Sequence, residues 1–248
     1  YGKEITNSQK GDCDTRYVEK ILTKLIAKNN QSLIETRKPE EKFVGSCRDY
    51  AVVLCSMLRH QGIPARVRCG FDVYFNIKSD FYDDHWACEY WNNAAQRWIL
   101  IDANVDKIVK EKYQITINTL DIPRDKFIVA GEAWQMCRNR KADPNKFGVS
   151  SIDIKGLWFV RGSIVRDLAA LNKVEVLPWD YWGIADKTPE DLPEEDLLFL
   201  DKVAEAIMKD DLIESLRPTF GDKRVKITPI IKSYSPFLDL QNTKLTDN

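Results

Sequence analysis

Two strand-like runs, His85 to Trp91 and Gln96 to Asp102, flank the short polar stretch Asn92-Asn93-Ala94-Ala95, and the hairpin they imply constrains this chain more than any other feature. A four-residue loop pairs Trp91 with Gln96 and so sets His85 opposite Asp102. Directly opposed residues share a face with Cβ atoms about 4.5–5.5 Å apart, which brings an imidazole to a carboxylate. Moving the pairing by one residue would send Asp102 to the other face, so the register is a sharp expectation. Just upstream, Ala65 to Asn76 alternates strictly. Val67, Cys69, Phe71, Val73 and Phe75 fall on one side, and Arg66, Arg68, Asp72 and Tyr74 on the other. That pattern predicts a half-buried strand.

Before these strands the period changes. Tyr50, Val53, Leu54, Met57 and Leu58 recur at helical spacing, with Ser46 as N-cap, Asp49 three residues on as its capping-box partner, and Gly62 and Pro64 as stop signals. An earlier amphipathic helix is predicted over Thr15 to Asn29. After about Pro123 the pattern reads as helical at Phe127 to Arg140, from Asp143-Pro144, at Ser163 to Asn172 and at Pro193 to Lys209. The aromatic run Pro178-Trp179-Asp180-Tyr181-Trp182-Gly183, together with Trp158, is expected mainly in the core or at the rim of a cleft. Asp191 to Asp201 reads as a solvated helix face, and Gln241 to Asn248 as a loose polar tail. No Gly/Ser-rich linker divides the chain, so residues 1–125 are expected as a core and 126–248 as a mainly helical extension packed on it.

With 248 residues the chain can bury a core that holds a pre-formed cleft without disulfide or metal staples. A net charge of −1 lacks the broad basic face that nucleic acid or an anionic membrane requires. Six dispersed cysteines without a CxxC suit a reducing cytoplasm, and two histidines without ligand spacing leave no metal or cofactor site to expect. The start, Tyr1-Gly2-Lys3-Glu4, has no signal-peptide pattern, although Tyr1 is not an initiator Met and a removed segment stays open.

A thiol attacks as thiolate, which a helix N-terminus and a neighbouring imidazolium both favour. Cys47, just after the Ser46 cap, meets the first condition, and its backbone N–H is a natural oxyanion donor. Cys55, Cys69, Cys88 and Cys137 sit in apolar stretches and read as buried packing residues, while His60 suits a helix C-terminus. Arg48, Arg66 and Arg68 read as ordinary exposed arginines, and Asn104 is an alternative to Asp102 as the partner of His85.

Gly45-Ser46-Cys47-Arg48-Asp49-Tyr50-Ala51, then Leu58-Arg59, Gly62-Ile63-Pro64-Ala65-Arg66, Asp84-His85-Trp86 and Trp98-Ile99-Leu100-Ile101-Asp102 resemble, in that order, the transglutaminase-like superfamily. The resemblance covers about Phe43 to Asn104. It implies an α+β fold related to papain, with the nucleophile helix on an antiparallel sheet and Cys47, His85 and Asp102 as catalytic triad. Transglutaminases place a Trp upstream of the nucleophile as second oxyanion donor. None precedes Cys47 here, and Gln31, or Asn30, is the substitute on offer. The paired CxxC motifs of peptide N-glycanases and the calcium-binding and barrel domains of animal transglutaminases are also missing. The implied activity is cysteine-dependent acyl transfer through a thioester, hydrolytic before transamidating. Its substrate would be a peptide, protein or peptidoglycan-like amide, and a non-catalytic binding domain is the alternative.

Overall fold

Cys47 begins a helix because the chain supplies both of that helix's ends. Asp49 Oδ2 accepts from the Ser46 N–H at 2.7 Å and from the Ser46 hydroxyl at 3.3 Å, and Gly62 follows at φ 74° to turn the chain away. The computed structural model describes residues 5–76, 79–188, 192–209, 216–236 and 239–245. In chain order, α1 (Asn7–Lys10), α2 (Val18–Lys28) and α3 (Cys47–His60) precede β1 (Ala65–Asp72), β2 (Tyr82–Asn92) and β3 (Arg97–Ile101). Next come α4 (Lys107–Tyr113), β4 (Phe127–Val129), α5 (Ala130–Arg138), β5 (Phe147–Val149), β6 (Ile154–Lys155) and α6 (Leu157–Leu171). Then follow β7 (Asp180–Tyr181), α7 (Glu194–Met208), α8 (Arg217–Phe220), β8 (Ile230–Ser233) and β9 (Gln241–Lys244). The fold is α+β.

The main sheet is built on the antiparallel pair β1 and β2, with β4 on the far edge of β1. β2 has two successive neighbours on its other edge. Tyr82 and Asp83 pair in parallel with β5, which β6 extends, and Cys88 to Asn92 pair antiparallel with β3. Alternation along β2 sends Trp86 and Cys88 into the larger core, with Val52 and Cys55 of α3 and Ile164 and Leu168 of α6. Ala87 goes to a smaller core on the other face, with Leu100, Ile122 and Phe127. Within α6 every residue from Phe159 to Leu171 is buried, so this helix is enclosed on all sides.

Several expectations change. The hairpin register differs: Trp91 pairs with Trp98 and Asn92 with Arg97, so the loop is 93–96 rather than 92–95. Asn92 Oδ1 accepts from the Ala95 N–H at 2.9 Å, and Gln96 adopts a left-handed φ of 50° to close the turn. β1 is buried along its whole length because strands flank both its edges and cores cover both its faces. Arg66 and Arg68 are therefore buried, not exposed, and Arg48 of α3 is buried as well. Phe127 to Arg140 divides into β4 and α5, because Phe127, Ile128 and Val129 pair with the edge of β1. The helix expected from Asp143-Pro144 is a single 3-10 turn, Pro144–Lys146. The second half is not only helical: it supplies β4, β5 and β6 to the main sheet and forms a three-stranded sheet, β7-β8-β9.

The expected loose tail begins with β9, and residues 246–248 lie outside the described residues. In the acidic stretch, Asp191 also lies outside them. Asp196 and Asp201 are not solvated ornaments of α7: Asp196 accepts from Lys187 Nζ at 2.8 Å, and Asp201 from Trp134 Nε1 at 2.7 Å.

The polar side of β1 is buried because it is neutralised. Arg66, directly opposite Glu89, donates to it at 2.5 Å, and Arg68 Nη1 reaches the same carboxylate at 3.2 Å, with Arg124 on its other oxygen. Arg68 then bridges to Asp167 of α6 at 2.8 Å and to the Ile207 carbonyl of α7 at 3.1 Å. Trp98 lies under the Arg66 guanidinium at 4.0 Å.

Candidate active site

The site lies where β2 changes neighbour. Among the described residues, Asp84 to Ala87 pair with β1 alone, between the stretches taken by β5 and β3, and His85 is in that interval. Opposite His85 on β1 is Gly70, where a Cβ would come within 2.4 Å of the Ile128 carbonyl and 2.8 Å of the Phe127 ring. Glycine there lets Phe127 close on the imidazole, the ring centroids being 6.3 Å apart. Tyr74 and Phe75, just past β1, complete the aromatic surroundings of His85 at 5.8 and 5.3 Å.

His85 Nε2 and Asp102 Oδ2 are 2.8 Å apart, both residues being 4% exposed. The even displacement of the hairpin register explains why they still meet. Shifting the pairing by two residues keeps Asp102 on the same face and changes a direct opposition into a diagonal one. Asp102 is fixed independently: its Oδ2 accepts from the Tyr74 hydroxyl and its Oδ1 from the Asn104 N–H, each at 2.8 Å, and its own N–H donates to the Thr119 carbonyl at 3.0 Å. Asn104 thus holds Asp102 through its backbone, and the carboxylate facing the ring belongs to Asp102.

Cys47 is half-buried at the start of α3, and its sulfur is near enough to His85 to help raise the pKa of the imidazole. Gly45 permits the tight approach to the helix: a Cβ there would sit 2.8 Å from Asp49 Oδ2, the atom that caps Ser46. The Cys47 N–H has no acceptor among the described residues, as expected at the first position of a helix.

Electrostatics favour a charged imidazole beside a charged Asp102. Burial works against an imidazolium, but Asp102 and then Cys47 outweigh it, so His85 titrates well above the usual imidazole range. Burial likewise opposes the Asp102 carboxylate, yet His85, Tyr74 and the Asn104 N–H hold it below the usual carboxylate range. A second carboxylate stands close by. Asp72 Oδ2 is 3.7 Å from His85 Nδ1, while its Oδ1 accepts from the Tyr74 and Phe75 N–H groups at 3.1 and 3.0 Å. Burial pushes Asp72 up to about 6.

Sequence reasoning missed Asp72, Tyr74, Phe75 and Phe127 as neighbours of His85. The signal available was an Asp within the alternating run, two residues before the adjacent aromatics Tyr74 and Phe75. Gln31 is not brought to Cys47 by any contact among the described residues: its Nε2 donates to the Thr36 carbonyl at 3.1 Å and its Oε1 accepts from Asn29 at 3.3 Å. The tryptophans expected in the core or at a cleft rim have these partners. Trp158 rests on Phe159 and Tyr181, Trp179 donates to Asp14, and Trp182 donates to the Val225 carbonyl. The other five cysteines are buried, with burial pushing Cys13 up to about 11 and Cys137 up to about 12. No helix among the described residues is long and apolar enough to cross a membrane.

No curated protein and no solved structure matches the chain. One family model does, over residues 4–103, a span that contains Cys47, His85 and Asp102. That model is of the transglutaminase-like superfamily, to which residues 4–103 are similar.

Proposed function

We propose that Cys47, His85 and Asp102 form the catalytic triad of a cysteine-dependent acyl-transfer enzyme that acts on amide bonds, with α3 as the nucleophile helix. The observation that carries this reading is the Asp102 carboxylate 2.8 Å from a ring nitrogen of His85, with Cys47 at the start of α3 near enough to add to Asp102 in raising the imidazole pKa. In the first step the thiolate attacks the amide carbonyl and the Cys47 N–H receives the developing oxyanion. The imidazolium gives its proton to the leaving amine, and a thioester remains. His85 then takes a proton from water, which attacks the thioester, releases the carboxylic acid and restores the thiol. Asp102 orients the ring throughout without taking up the proton.

Water is the default acceptor, so hydrolysis of a peptide or peptidoglycan-like amide precedes transamidation in this reading. Gln31 remains the candidate for a second oxyanion donor, and its engagement by Thr36 means that it would have to leave its loop to serve. The test is to incubate the protein with a diverse library of peptides and peptidoglycan fragments, with and without a primary amine, using Cys47→Ser as control. Release of a new carboxylate that Cys47→Ser abolishes is the expected outcome. Amide exchange with the added amine would select the transferase, and tight binding without turnover in both proteins would select the binding domain.

A further inference from the structure

On the face of β2 opposite to His85, behind α3, lies a cavity of about 110 Å³. Its polar lining is Arg48, Ser56 and Arg59 of α3, Trp86 of β2, and Lys173 and Glu175 from the segment after α6. Two of these side chains are deeply buried and incompletely satisfied. Arg48 and Trp86 are 0% and 1% exposed, and Arg48 Nε and Trp86 Nε1 have no acceptor among the described residues. Native interiors rarely leave such donors unmatched. The rest of Arg48 is committed: Nη1 donates to Asp49 at 3.0 Å and to the Thr15 carbonyl at 3.3 Å, and Nη2 to the Arg16 carbonyl. The guanidinium is thereby fixed, and Nε alone is left without an acceptor among the described residues.

The charge around these donors is unbalanced. Arg48 has Asp49 as its counter-ion, but Arg59 and Lys173 are in no salt bridge among the described residues. Arg59 uses Nε on the Ala65 carbonyl at 2.9 Å, which leaves its two terminal nitrogens. The one acid of the lining, Glu175, has an oxygen taken by the Val18 N–H at 2.7 Å. Water would satisfy the two buried N–H groups but not the surplus of positive charge. A ligand that only accepts hydrogen bonds and carries negative charge meets both demands. The volume limits its size, being well below the roughly 300–1,000 Å³ of sites for drug-sized molecules.

We propose that this cavity binds a small tetrahedral oxyanion of the phosphate or sulfate class, held by Arg48 Nε, Trp86 Nε1, the Ser56 hydroxyl and the cations of Arg59 and Lys173. Occupancy joins α3, which starts at Cys47, to β2, which carries His85, and to the segment after α6. The anion therefore acts as a clamp behind the proposed catalytic pair without touching it.

The indole N–H of Trp86 reports directly on the site. The full chain, labelled with 15N-tryptophan and sequentially assigned, is titrated with inorganic phosphate and with sulfate at constant ionic strength, chloride serving as the balancing salt. The Trp86 indole resonance is expected to shift saturably with one or both anions. Arg59→Gln, at the half-buried mouth, should weaken the apparent affinity by roughly tenfold or more, as loss of a charged partner does. Lys173→Ala, an exposed position, is the second variant if Arg59→Gln fails to fold, and the same anions should raise the unfolding temperature of the native chain more than that of the variant. A Trp86 resonance that neither anion moves would overturn the proposal. So would a shift that chloride reproduces, or one that persists unchanged in the variant.

Discussion

His85 is held from both ends of its ring, and the consequences of that are measurable at single residues. Asp102 and Cys47 together keep the imidazole protonated well above its usual range, so the cation survives through neutral pH and disappears only as pH rises through that elevated value. Iodoacetamide at mildly acidic pH should therefore alkylate half-buried Cys47 ahead of the five buried cysteines, read by peptide mass spectrometry. His85→Ala should remove that preference, and Asp102→Ala should reduce it less, since Asp102 touches the ring and not the sulfur. Equal, slow labelling of all six would speak against an activated nucleophile. Asp84, next to His85, makes a different prediction. Its Oδ1 is buried without a partner among the described residues, and burial pushes its carboxyl up to about 6. The folded state thus holds this proton more tightly than the unfolded one, and stability drains as pH rises from about 4 to about 6. Asp84→Asn should flatten that part of a stability-versus-pH curve. An unchanged slope in urea unfolding across the window would contradict it.

At the scale of elements, the hairpin shows what was legible in the sequence. Alternation and turn position predicted which face of β2 and β3 carries His85 and Asp102, because parity survives any even displacement. The register itself was not legible, since it depends on Gln96 taking a left-handed conformation, for which its residue type gives no signal. The start of α3 was readable from Ser46 and Asp49. The burial of β1 was not, because alternation of Arg with Val describes chemistry, and only the tertiary partners Glu89 and Asp167 make the arginine side an interior. That network yields its own test. Burial opposes the Glu89 carboxylate, but Arg68, Arg66 and Arg124 outweigh it and bring Glu89 to about 2. Its contribution is whole above about 4.5 and is lost as pH falls toward about 2. Glu89→Ala, which removes the buried carboxylate shared by Arg66, Arg68 and Arg124, should cost about 3–5 kcal/mol at neutral pH by equilibrium unfolding. A cost under 1 kcal/mol would mean that water satisfies the arginines instead.

For the molecule as a whole, the match to the superfamily stops at residue 103, but the sheet that carries His85 does not. β4 and β5 come from beyond residue 125, and Arg68 is neutralised in part by Asp167 of α6. A fragment of residues 1–125 should consequently lack a cooperative unfolding transition, and limited proteolysis of the full chain should release no stable piece of that size. A folded fragment with native-like thermal unfolding would refute this. The divided edge of β2 has a further consequence in time rather than space. During synthesis Cys47 and His85 leave the ribosome long before Phe147 and Gly148, which flank the His85 interval, and before Asp167, which neutralises the strand beside it. The surroundings of His85 are therefore complete only once β5 and α6 have been made and docked.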